Sequence, residues 1–406
     1  MGEKCLNINI IKKFKNRGKN SRDLKKFGLI LIIGLLMQVI FVSNIEHSVA
    51  VDEGNPGLRT GQKMVYNPVA EEIILFGGNR GNGDTSLLDT VWKYNISQSE
   101  WVEINPGLSP ISRYNHAMVY LPGNNSILLF GGRKNSDYTQ LDDTWKYDLR
   151  TNTWEEIICT PKPPARQFSS LTYDSQSERA LLFGGFGQNE EHLNDLWEFT
   201  PENNTWTEIT TTNAPQSRYG HSLIYRNATN NAYLFGGRTL GLNDDLWKFD
   251  PSINAWNSVV TSTKPLQRYL HSMEYCSESD LGFLFGGDNE NTQGRALDDT
   301  WVFNFTANSW ILIQPETSPV SRLIYSMCYD SALNQVYIYG GLTDDYQVCL
   351  GDFWQFDFTS SNWIEIGDGS KGSIEGYQGI GISIMSSIAV CTLIIIRKKR
   401  STAFRI

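Results

Sequence analysis

The chain of 406 residues is poor in the side chains that build most catalytic and metal centres. It contains five histidines and six cysteines, and no cysteine pair shows the Cys-x-x-Cys spacing of a zinc site. The sequence also lacks a Gly-x-Ser-x-Gly elbow, a His-Glu-x-x-His pair and a phosphate-binding glycine loop. It therefore gives no positive evidence for a hydrolase, a zinc protease or a nucleotide-binding enzyme.

Positive charge is scarce in the central part of the chain. Residues 51–379 contain 41 acidic and 21 basic side chains, a net charge of −20, although the whole chain has a net charge of −9. A nucleic-acid-binding protein needs a basic surface for the phosphates. The composition therefore argues against nucleic acid as a partner and permits cations or basic partners.

Tryptophan, by contrast, follows a strict pattern. The chain has 12 tryptophans, and all belong to six pairs whose members lie nine residues apart. The pairs are Trp92/Trp101, Trp145/Trp154, Trp197/Trp206, Trp247/Trp256, Trp301/Trp310 and Trp354/Trp363. Such self-similarity identifies a six-fold internal repeat.

Three further columns share the register of the tryptophan pairs. Each repeat has a Gly-Gly doublet, an arginine 18 residues before it, and a tyrosine seven residues after that arginine. The doublets begin at Gly77, Gly131, Gly184, Gly236, Gly286 and Gly340; the arginines are Arg59, Arg113, Arg166, Arg218, Arg268 and Arg322; the tyrosines are Tyr66, Tyr120, Tyr173, Tyr225, Tyr275 and Tyr329. Only the segment between the doublet and the first tryptophan varies in length.

Each repeat predicts four short strands, A to D. In the second repeat, strand A includes Met118–Tyr120, strand B is the apolar run that ends at the doublet, strand C includes Trp145–Tyr147, and strand D opens at Trp154. Side chains alternate along these runs, and turn-forming residues separate them. Since no segment of the repeat region has sustained helical periodicity, the fold class is predicted as all-β: a six-bladed propeller of four-stranded antiparallel blades.

An apolar pair followed by Phe-Gly-Gly, and then an aromatic residue separated from a tryptophan by six residues, as in Phe249 and Trp256, resembles the kelch repeat. The resemblance covers residues 59–367 and all six units. It implies a kelch propeller over residues 51–367, with blades at about 59–108, 109–161, 162–213, 214–263, 264–317 and 318–367. No strand need be exchanged between the ends, and residues 55–58 are expected to lie over the last blade as a latch.

The two ends of the chain predict export and membrane attachment. Residues 1–50 are predicted to be a basic leader and signal peptide cleaved after Ala50, or alternatively a retained signal anchor. Residues 368–379 read as a flexible tether, 380–396 as a transmembrane helix and 397–406 as a basic cytoplasmic tail. The expected location is therefore the membrane, with one span and the propeller outside the cytoplasm, where disulfides among Cys159, Cys276, Cys328 and Cys349 would be allowed.

The recurrent columns are interpreted as structural, because a residue repeated in every blade describes the blade. The aspartates two residues before a tryptophan are expected to be arginine partners or turn caps. Three histidines three residues after an arginine, His116, His221 and His271, are expected to be structural, with a metal site on the axis as the alternative. Calcium in the Asp-rich B–C loops is a further alternative, although no loop matches an EF-hand; otherwise no cofactor is expected.

Two families of kelch-like enzymes give catalytic alternatives. One resembles galactose oxidase, whose copper pattern does not map onto this chain; the other comprises the six-bladed sugar-acid epimerases. Their catalytic residues do not lie in the repeat columns, so an enzyme acting on a sugar-like substrate in the central pocket stays open.

Binding is predicted on the face that carries the B–C and D–A connections, because variable loops on a constant scaffold concentrate function. The kelch resemblance places contacts just after the doublet and just after the arginine. Among the positions that match, Arg80, Arg133, Lys134, Arg238, Tyr114, Phe168, Tyr219 and Tyr269 form the predicted binding set, and its bases are expected to stand out on an acidic body. The sequence thus predicts a membrane-anchored propeller that binds a protein or glycan at the cell surface and is not an enzyme, with a purely structural surface protein as a third alternative.

Overall fold

A computed structural model of the chain describes residues 54–81, 86–134, 139–290, 295–343 and 348–366. Almost all regular structure in these residues is β, together with 3-10 turns at Pro122–Asn124 and Gln188–Glu190. In the described part of the chain no helix is long and apolar enough to cross a membrane. The predicted leader, tether, transmembrane span and cytoplasmic tail lie outside the described residues.

The described residues form six antiparallel sheets of consecutive strands, which confirms the predicted six-bladed propeller. Blade one contains β1 (Lys63–Asn67), β2 (Glu72–Phe76), β3 (Val91–Asn95) and β4 (Glu100–Ile104). Blade two contains β5 (Ala117–Leu121), β6 (Ser126–Phe130), β9 (Thr144–Asp148) and β10 (Thr153–Ile157), with the hairpin β7 (Arg133–Lys134) and β8 (Thr139–Gln140) between B and C. Blade three contains β12 (Ser170–Asp174), β13 (Arg179–Gly187), β14 (His192–Thr200) and β15 (Thr205–Ile209), extended by β11 (Arg166–Gln167).

The remaining blades repeat the plan. Blade four contains β16 (Ser222–Arg226), β17 (Asn231–Phe235), β18 (Leu246–Asp250) and β19 (Ala255–Val259). Blade five contains β20 (Ser272–Cys276), β21 (Leu281–Phe285), β22 (Thr300–Asn304) and β23 (Ser309–Ile313). Blade six contains β24 (Ser326–Asp330), β25 (Gln335–Leu342), β26 (Cys349–Asp357) and β27 (Asn362–Glu365). Each blade comes from one continuous stretch of chain, so no strand is exchanged at the closure.

The core lies between neighbouring blades. The second tryptophan of each pair packs on the aromatic residue that precedes the glycine doublet of the preceding blade. The contacts are Trp154 on Phe76, Trp206 on Phe130, Trp256 on Phe183, Trp310 on Phe235, Trp363 on Phe285 and Trp101 on Tyr339, with ring centroids 4.9–5.5 Å apart. The last contact joins blade one to blade six. A large aromatic area is therefore buried at every junction, including the closing one.

In blades two to six, the recurrent arginines are buried and donate hydrogen bonds to a glycine of the doublet and to an aspartate of the same blade. Arg113 donates to the Gly131 carbonyl at 2.9 Å and to both oxygens of Asp143 at 2.7 and 2.6 Å, and the indole of Trp145 donates to the same carboxylate at 2.7 Å. The equivalent groups are Arg166, Asp195 and Trp197; Arg218, Asp245 and Trp247; Arg268, Asp299 and Trp301; Arg322, Asp352 and Trp354. The aspartates are thus arginine partners, in the bidentate geometry that suits a guanidinium.

The backbone of the glycine doublet contacts the arginine of the next blade. The Gly132 amide donates to the Arg166 carbonyl at 2.8 Å. Gly131 and Gly132 have φ of 64° and 96°, and a Cβ on Gly131 would lie 2.7 Å from the Arg166 carbonyl oxygen. The doublet is therefore required both by its positive φ and by the close approach of the following blade.

Blade one departs from the arginine pattern, because Thr90 stands where the other blades have aspartate. Arg59 donates to the Gly77 carbonyl at 3.1 Å and to the Thr90 hydroxyl at 3.4 Å, and its other terminal nitrogen donates to the Pro56 carbonyl. The Arg59 Nε and the Trp92 indole nitrogen have no hydrogen-bond partner among the described residues. Burial lowers the pKa of Arg59 to about 10. This buried arginine therefore lacks the carboxylate that its five counterparts have.

The N-terminal segment closes the ring, as the predicted latch. The Arg59 amide donates to the Leu350 carbonyl and the Gly341 amide donates to the Arg59 carbonyl, both at 2.9 Å. The Tyr339 hydroxyl donates to the Gly57 carbonyl, also at 2.9 Å. At the other five junctions the equivalent contacts are made by the covalent D–A connection. Blade six is thus joined to blade one by a noncovalent copy of that connection.

Candidate binding face

The D–A and B–C connections lie side by side on one face, as the strand order predicts. The residue after the arginine pairs with the residue after the doublet in an isolated antiparallel bridge. The bridges are Thr60 with Asn79, Tyr114 with Arg133, Tyr219 with Arg238, Tyr269 with Asp288 and Leu323 with Leu342; in blade three the same positions form β11 paired with β13. The two halves of the predicted binding set therefore alternate around a single rim.

Two arginines of the predicted binding set lie over tyrosine rings of the same set. The guanidinium carbon of Arg133 is 5.4 Å from the ring centroid of Tyr114, and that of Arg238 is 5.5 Å from the ring of Tyr269. Both distances are within the range of a cation–π interaction. These contacts fix the flexible arginine side chains close to the aromatic rings of the rim.

The expectation that the bases stand out on an acidic body is wrong for Arg238. Its guanidinium forms an ion pair with Glu290, and Arg295 pairs with Asp288 at 3.0 Å. Both acids follow the doublet of blade five, and Glu290 reaches across to Arg238 of blade four. The charge of this part of the rim is consequently mixed rather than basic.

An aromatic cluster joins blades three to five. Tyr219 lies at its centre, with ring centroids 5.9 Å from Phe168, 5.1 Å from Phe186, 5.0 Å from His192 and 6.0 Å from Tyr269. All of these side chains except Tyr269 remain partly exposed. We call these five residues the aromatic cluster; it is the largest set of contacting rings on the rim in the described part of the chain.

The aromatic cluster is uncharged at neutral pH. Burial lowers the pKa of His192, and the nearby Arg238 lowers it further. Burial also raises the pKa of Tyr219, against the opposing effect of Arg238. A partner that reaches this surface therefore meets neutral rings beside one arginine that is already ion-paired.

The other two predicted bases lie on blades one and two. The Arg80 amide donates to the Ser86 carbonyl at 3.2 Å, and Arg80 Nε is buried without a partner among the described residues. Lys134 ends the short strand β7, where it pairs with Thr139. Both side chains are partly exposed and lie away from the aromatic cluster, so the eight predicted residues share a face without forming one compact site.

A ring of backbone hydrogen bonds forms the floor of this face. The residue two positions after each arginine donates its amide to the carbonyl of the equivalent residue in the preceding blade, at 2.7–3.1 Å. The six residues, which we call the collar, are Gly61, Asn115, Phe168, Gly220, Leu270 and Ile324, all with φ between 54° and 68°. The Gly61 amide donates to Ile324, so the collar is a complete circle and encloses a cavity of only about 50 Å³.

The three inner histidines lie beneath the collar and between blades. The rings of His116, His221 and His271 pack on Phe76, Phe183 and Phe235 of the preceding blades at 5.4–5.6 Å. Burial, and then the neighbouring arginine, lowers the pKa of each, that of His221 to about 3. Across the described residues no group of three or more His, Cys, Asp or Glu is arranged as metal ligands, and the four propeller cysteines are free thiols.

Comparison with known proteins agrees with this geometry. Residues 73–297, more than half of the chain, match the family model described as the Attractin/LZTR1 beta-propeller. The chain belongs to the Attractin/LZTR1 β-propeller family. All eight residues of the predicted binding set lie inside the matched range. Blade six lies beyond it, yet has the same Arg322–Asp352–Trp354 arrangement as the other blades.

Curated relatives of this Attractin/LZTR1-type propeller include larger proteins. Multiple epidermal growth factor-like domains protein 8 of Homo sapiens is 29% identical over 212 residues, which are 49% of this chain and 7% of that protein. Adagio-like protein 3 of Oryza sativa subsp. japonica is 30% identical over 42% of this chain and 27% of that protein, and an F-box/kelch-repeat protein of Arabidopsis thaliana is 30% identical over 43% and 38%. The matched region spans well under half of each relative, and the kelch prediction is confirmed.

Sequence reasoning missed part of this face. Phe186 is one of the positions after a glycine doublet where the kelch resemblance places contacts, although the predicted binding set does not include it. His192 appears in the sequence only as an isolated histidine. Glu290 belongs to no repeat column or motif that would mark it in the sequence. The sequence signal for Phe186 is its position after the doublet, which supplies Arg133 and Arg238 in the neighbouring blades.

Proposed function

We propose that this propeller is a binding module that holds a protein partner on the face built from the D–A and B–C connections. The observation that carries the proposal is the aromatic cluster around Tyr219, partly exposed and flanked by Arg238. Aromatic and arginine side chains supply most of the binding energy in protein interfaces. A partner with an apolar or aromatic anchor and an adjacent carboxylate suits this surface, since the carboxylate can replace Glu290 on Arg238.

Binding rather than catalysis is supported by the chemistry of the face. The rings are neutral, the collar closes the floor, and the inner histidines are buried against phenylalanines. The relatives described above are not named for a catalytic activity. We further propose that residues 380–396 anchor the propeller at the outer side of a membrane, which protease protection of the 397–406 tail in intact cells would test.

The binding proposal is tested with the full-length chain, purified in detergent, immobilised and exposed to surface extracts of the source cells. Tyr219→Ser removes the central ring, and the triple variant Arg80→Glu, Arg133→Glu, Arg238→Glu reverses the three bases. Each is expected to reduce specific retention at least tenfold, since a single interface anchor is worth about 2 kcal/mol or more. Arg150→Glu is the matched control, because Arg150 is a largely exposed base in a C–D turn.

The result also separates the two partner classes. Protease treatment of the extract abolishes retention if the partner is a protein, whereas periodate treatment abolishes it if the partner is a glycan. Retention that is unchanged in both face variants, with the propeller folded, would refute a role for this face.

A further inference from the structure

The propeller axis contains a second, larger space beyond the collar. A chamber of about 320 Å³ lies between the inner strands, and its lining includes the tyrosine of every blade. Its outer edge is formed by Pro68, Pro122 and Ser331, which belong to the turns between strands A and B. Because those turns lie at the opposite end from the B–C connections, the chamber opens away from the proposed binding face.

Aromatic, apolar and polar groups share the chamber wall. Met64, Met118 and Met273 line it together with the tyrosine rings. Several tyrosine hydroxyls are fixed in the A–B turns: that of Tyr120 is 3.0 Å from Asn125 Oδ1, and that of Tyr329 is 2.9 Å from Asn334 Oδ1. These hydrogen bonds hold the two rings in place beside the space between the strands.

Two ionisable groups, one acidic and one basic, lie on this axis without an ion-pair partner. Glu274, the third residue of β20, lines the chamber, and Lys63, the first residue of β1, lines the small cavity at the collar. Within the described residues neither side chain forms an ion pair at 4.0 Å or less. The other titratable residues of the axis are the tyrosines, Cys328 and the neutral inner histidines.

Each of the two groups nevertheless affects the pKa of the other. Burial lowers the pKa of Lys63, and the charge of Glu274 partly restores it. Burial raises the pKa of Glu274 to about 8, against the opposing effect of Lys63. Both charges are costly in this environment unless an opposite charge comes close to each.

The two groups lie at different heights along the propeller axis. Lys63 is four residues after Arg59, and Glu274 is six residues after Arg268, so they differ by two residues along equivalent inner strands. Two strand residues correspond to roughly 7 Å. A single small molecule can therefore address both groups only if it has charges at both ends.

We propose that the chamber binds a small zwitterion of the ω-amino acid type, with its ammonium against Glu274 and its carboxylate toward Lys63. Its short methylene chain would lie among the tyrosine and methionine side chains. The rings also favour an ammonium through cation–π attraction. The chamber opens at the opposite end of the axis from the proposed protein-binding face.

Isothermal titration of the full-length chain in detergent tests the proposal, with 4-aminobutyrate and 6-aminohexanoate as probes. n-Butylammonium and butyrate, which have one charge each, are expected to bind at least tenfold more weakly than the better zwitterion. Glu274→Gln and Lys63→Met should each weaken zwitterion binding at least tenfold. Glu278→Gln, an exposed acid four residues along the same chain segment, is the matched control and should leave it unchanged.

Proton release gives a second readout on the unaltered chain. At pH 7 a carboxyl with a pKa of about 8 is mostly protonated, so an ammonium that binds against Glu274 should release most of one proton. Titrations in two buffers of different ionisation enthalpy count that proton, and Glu274→Gln should abolish it. Absence of binding by both zwitterions, equal binding of n-butylammonium, or binding without proton release would overturn the proposal.

Discussion

Thr90→Asp should stabilise the propeller by completing blade one. In blade two the carboxylate of Asp143 receives two hydrogen bonds from Arg113 and one from Trp145, at 2.6–2.7 Å. In blade one, Arg59 donates instead to the Thr90 hydroxyl and the Pro56 carbonyl, and the Trp92 indole has no acceptor among the described residues. An aspartate at position 90 supplies the missing acceptor to an arginine that is already buried, so the cost of desolvating the guanidinium has already been met.

The magnitude follows from these contacts. Up to three new hydrogen bonds to a charged group are worth roughly 1.5–3 kcal/mol each before costs. Burying one carboxylate opposes them by several kcal/mol, and the Thr90 and Pro56 contacts are lost. The expected net gain is about 1–3 kcal/mol. With an unfolding entropy of roughly 2 cal/mol/K per residue over about 300 residues, this gain raises Tm by about 2–5 °C.

The assay is thermal and urea unfolding of the full-length chain in detergent, followed by tryptophan fluorescence, because all 12 tryptophans lie in the propeller. Thr90→Asn is the matched control, since it has the same size without the charge. A carboxylate paired in this way has a lowered pKa in the folded state. Its contribution is therefore fully present above pH 4 and is lost as the pH falls through the folded pKa. A Thr90→Asp Tm at or below that of Thr90→Asn at pH 7 would refute the reasoning.

Three further predictions concern the blade junctions. Asp143→Asn leaves the buried Arg113 without its anion and should lower the free energy of unfolding by about 3–5 kcal/mol, measured by urea unfolding; a loss below 1 kcal/mol would contradict the pairing argument. Tyr339→Phe keeps the ring but removes the hydrogen bond to Gly57, so it should cost about 0.5–1.5 kcal/mol at the closing junction, seen as faster exchange of nearby amides. Gly220→Ala forces a side chain into positive φ against the next blade and should cost about 1–3 kcal/mol; an unchanged Tm would show that the collar tolerates it.

The strands could be predicted because several independent signals agree in every repeat. The predicted strand at Met118–Tyr120 lies inside Ala117–Leu121, and the strand predicted to open at Trp154 begins one residue earlier, at Thr153. The nine-residue spacing within a tryptophan pair fixes the C–D hairpin, since Tyr94 then faces Trp101 across it. The arginine–aspartate pairing was one of two interpretations of the sequence, and only the geometry decides between them.

The collar and the aromatic cluster could not be predicted in the same way. Phe168, Leu270 and Ile324 have positive φ, although bulky and β-branched residues disfavour that region. Local preference therefore points away from the observed conformation, and only the hydrogen bonds between neighbouring blades compensate for it. The cluster likewise depends on how side chains of blades three to five meet, which the position of Phe186 or His192 within its own repeat does not reveal.

The collar also explains how one scaffold can have two chemically different ends. Each of its amides and carbonyls is used in a bond to a neighbouring blade, so backbone alone forms the ring around the axis at the rim. Residues on the rim can then vary without opening the channel, as Gly220 and Phe168 do at equivalent positions. On the far side, Glu274 lines the chamber that opens away from the rim. Substitutions at Tyr219 should therefore change partner binding without changing the proton release expected at Glu274, and the converse should hold for Glu274→Gln.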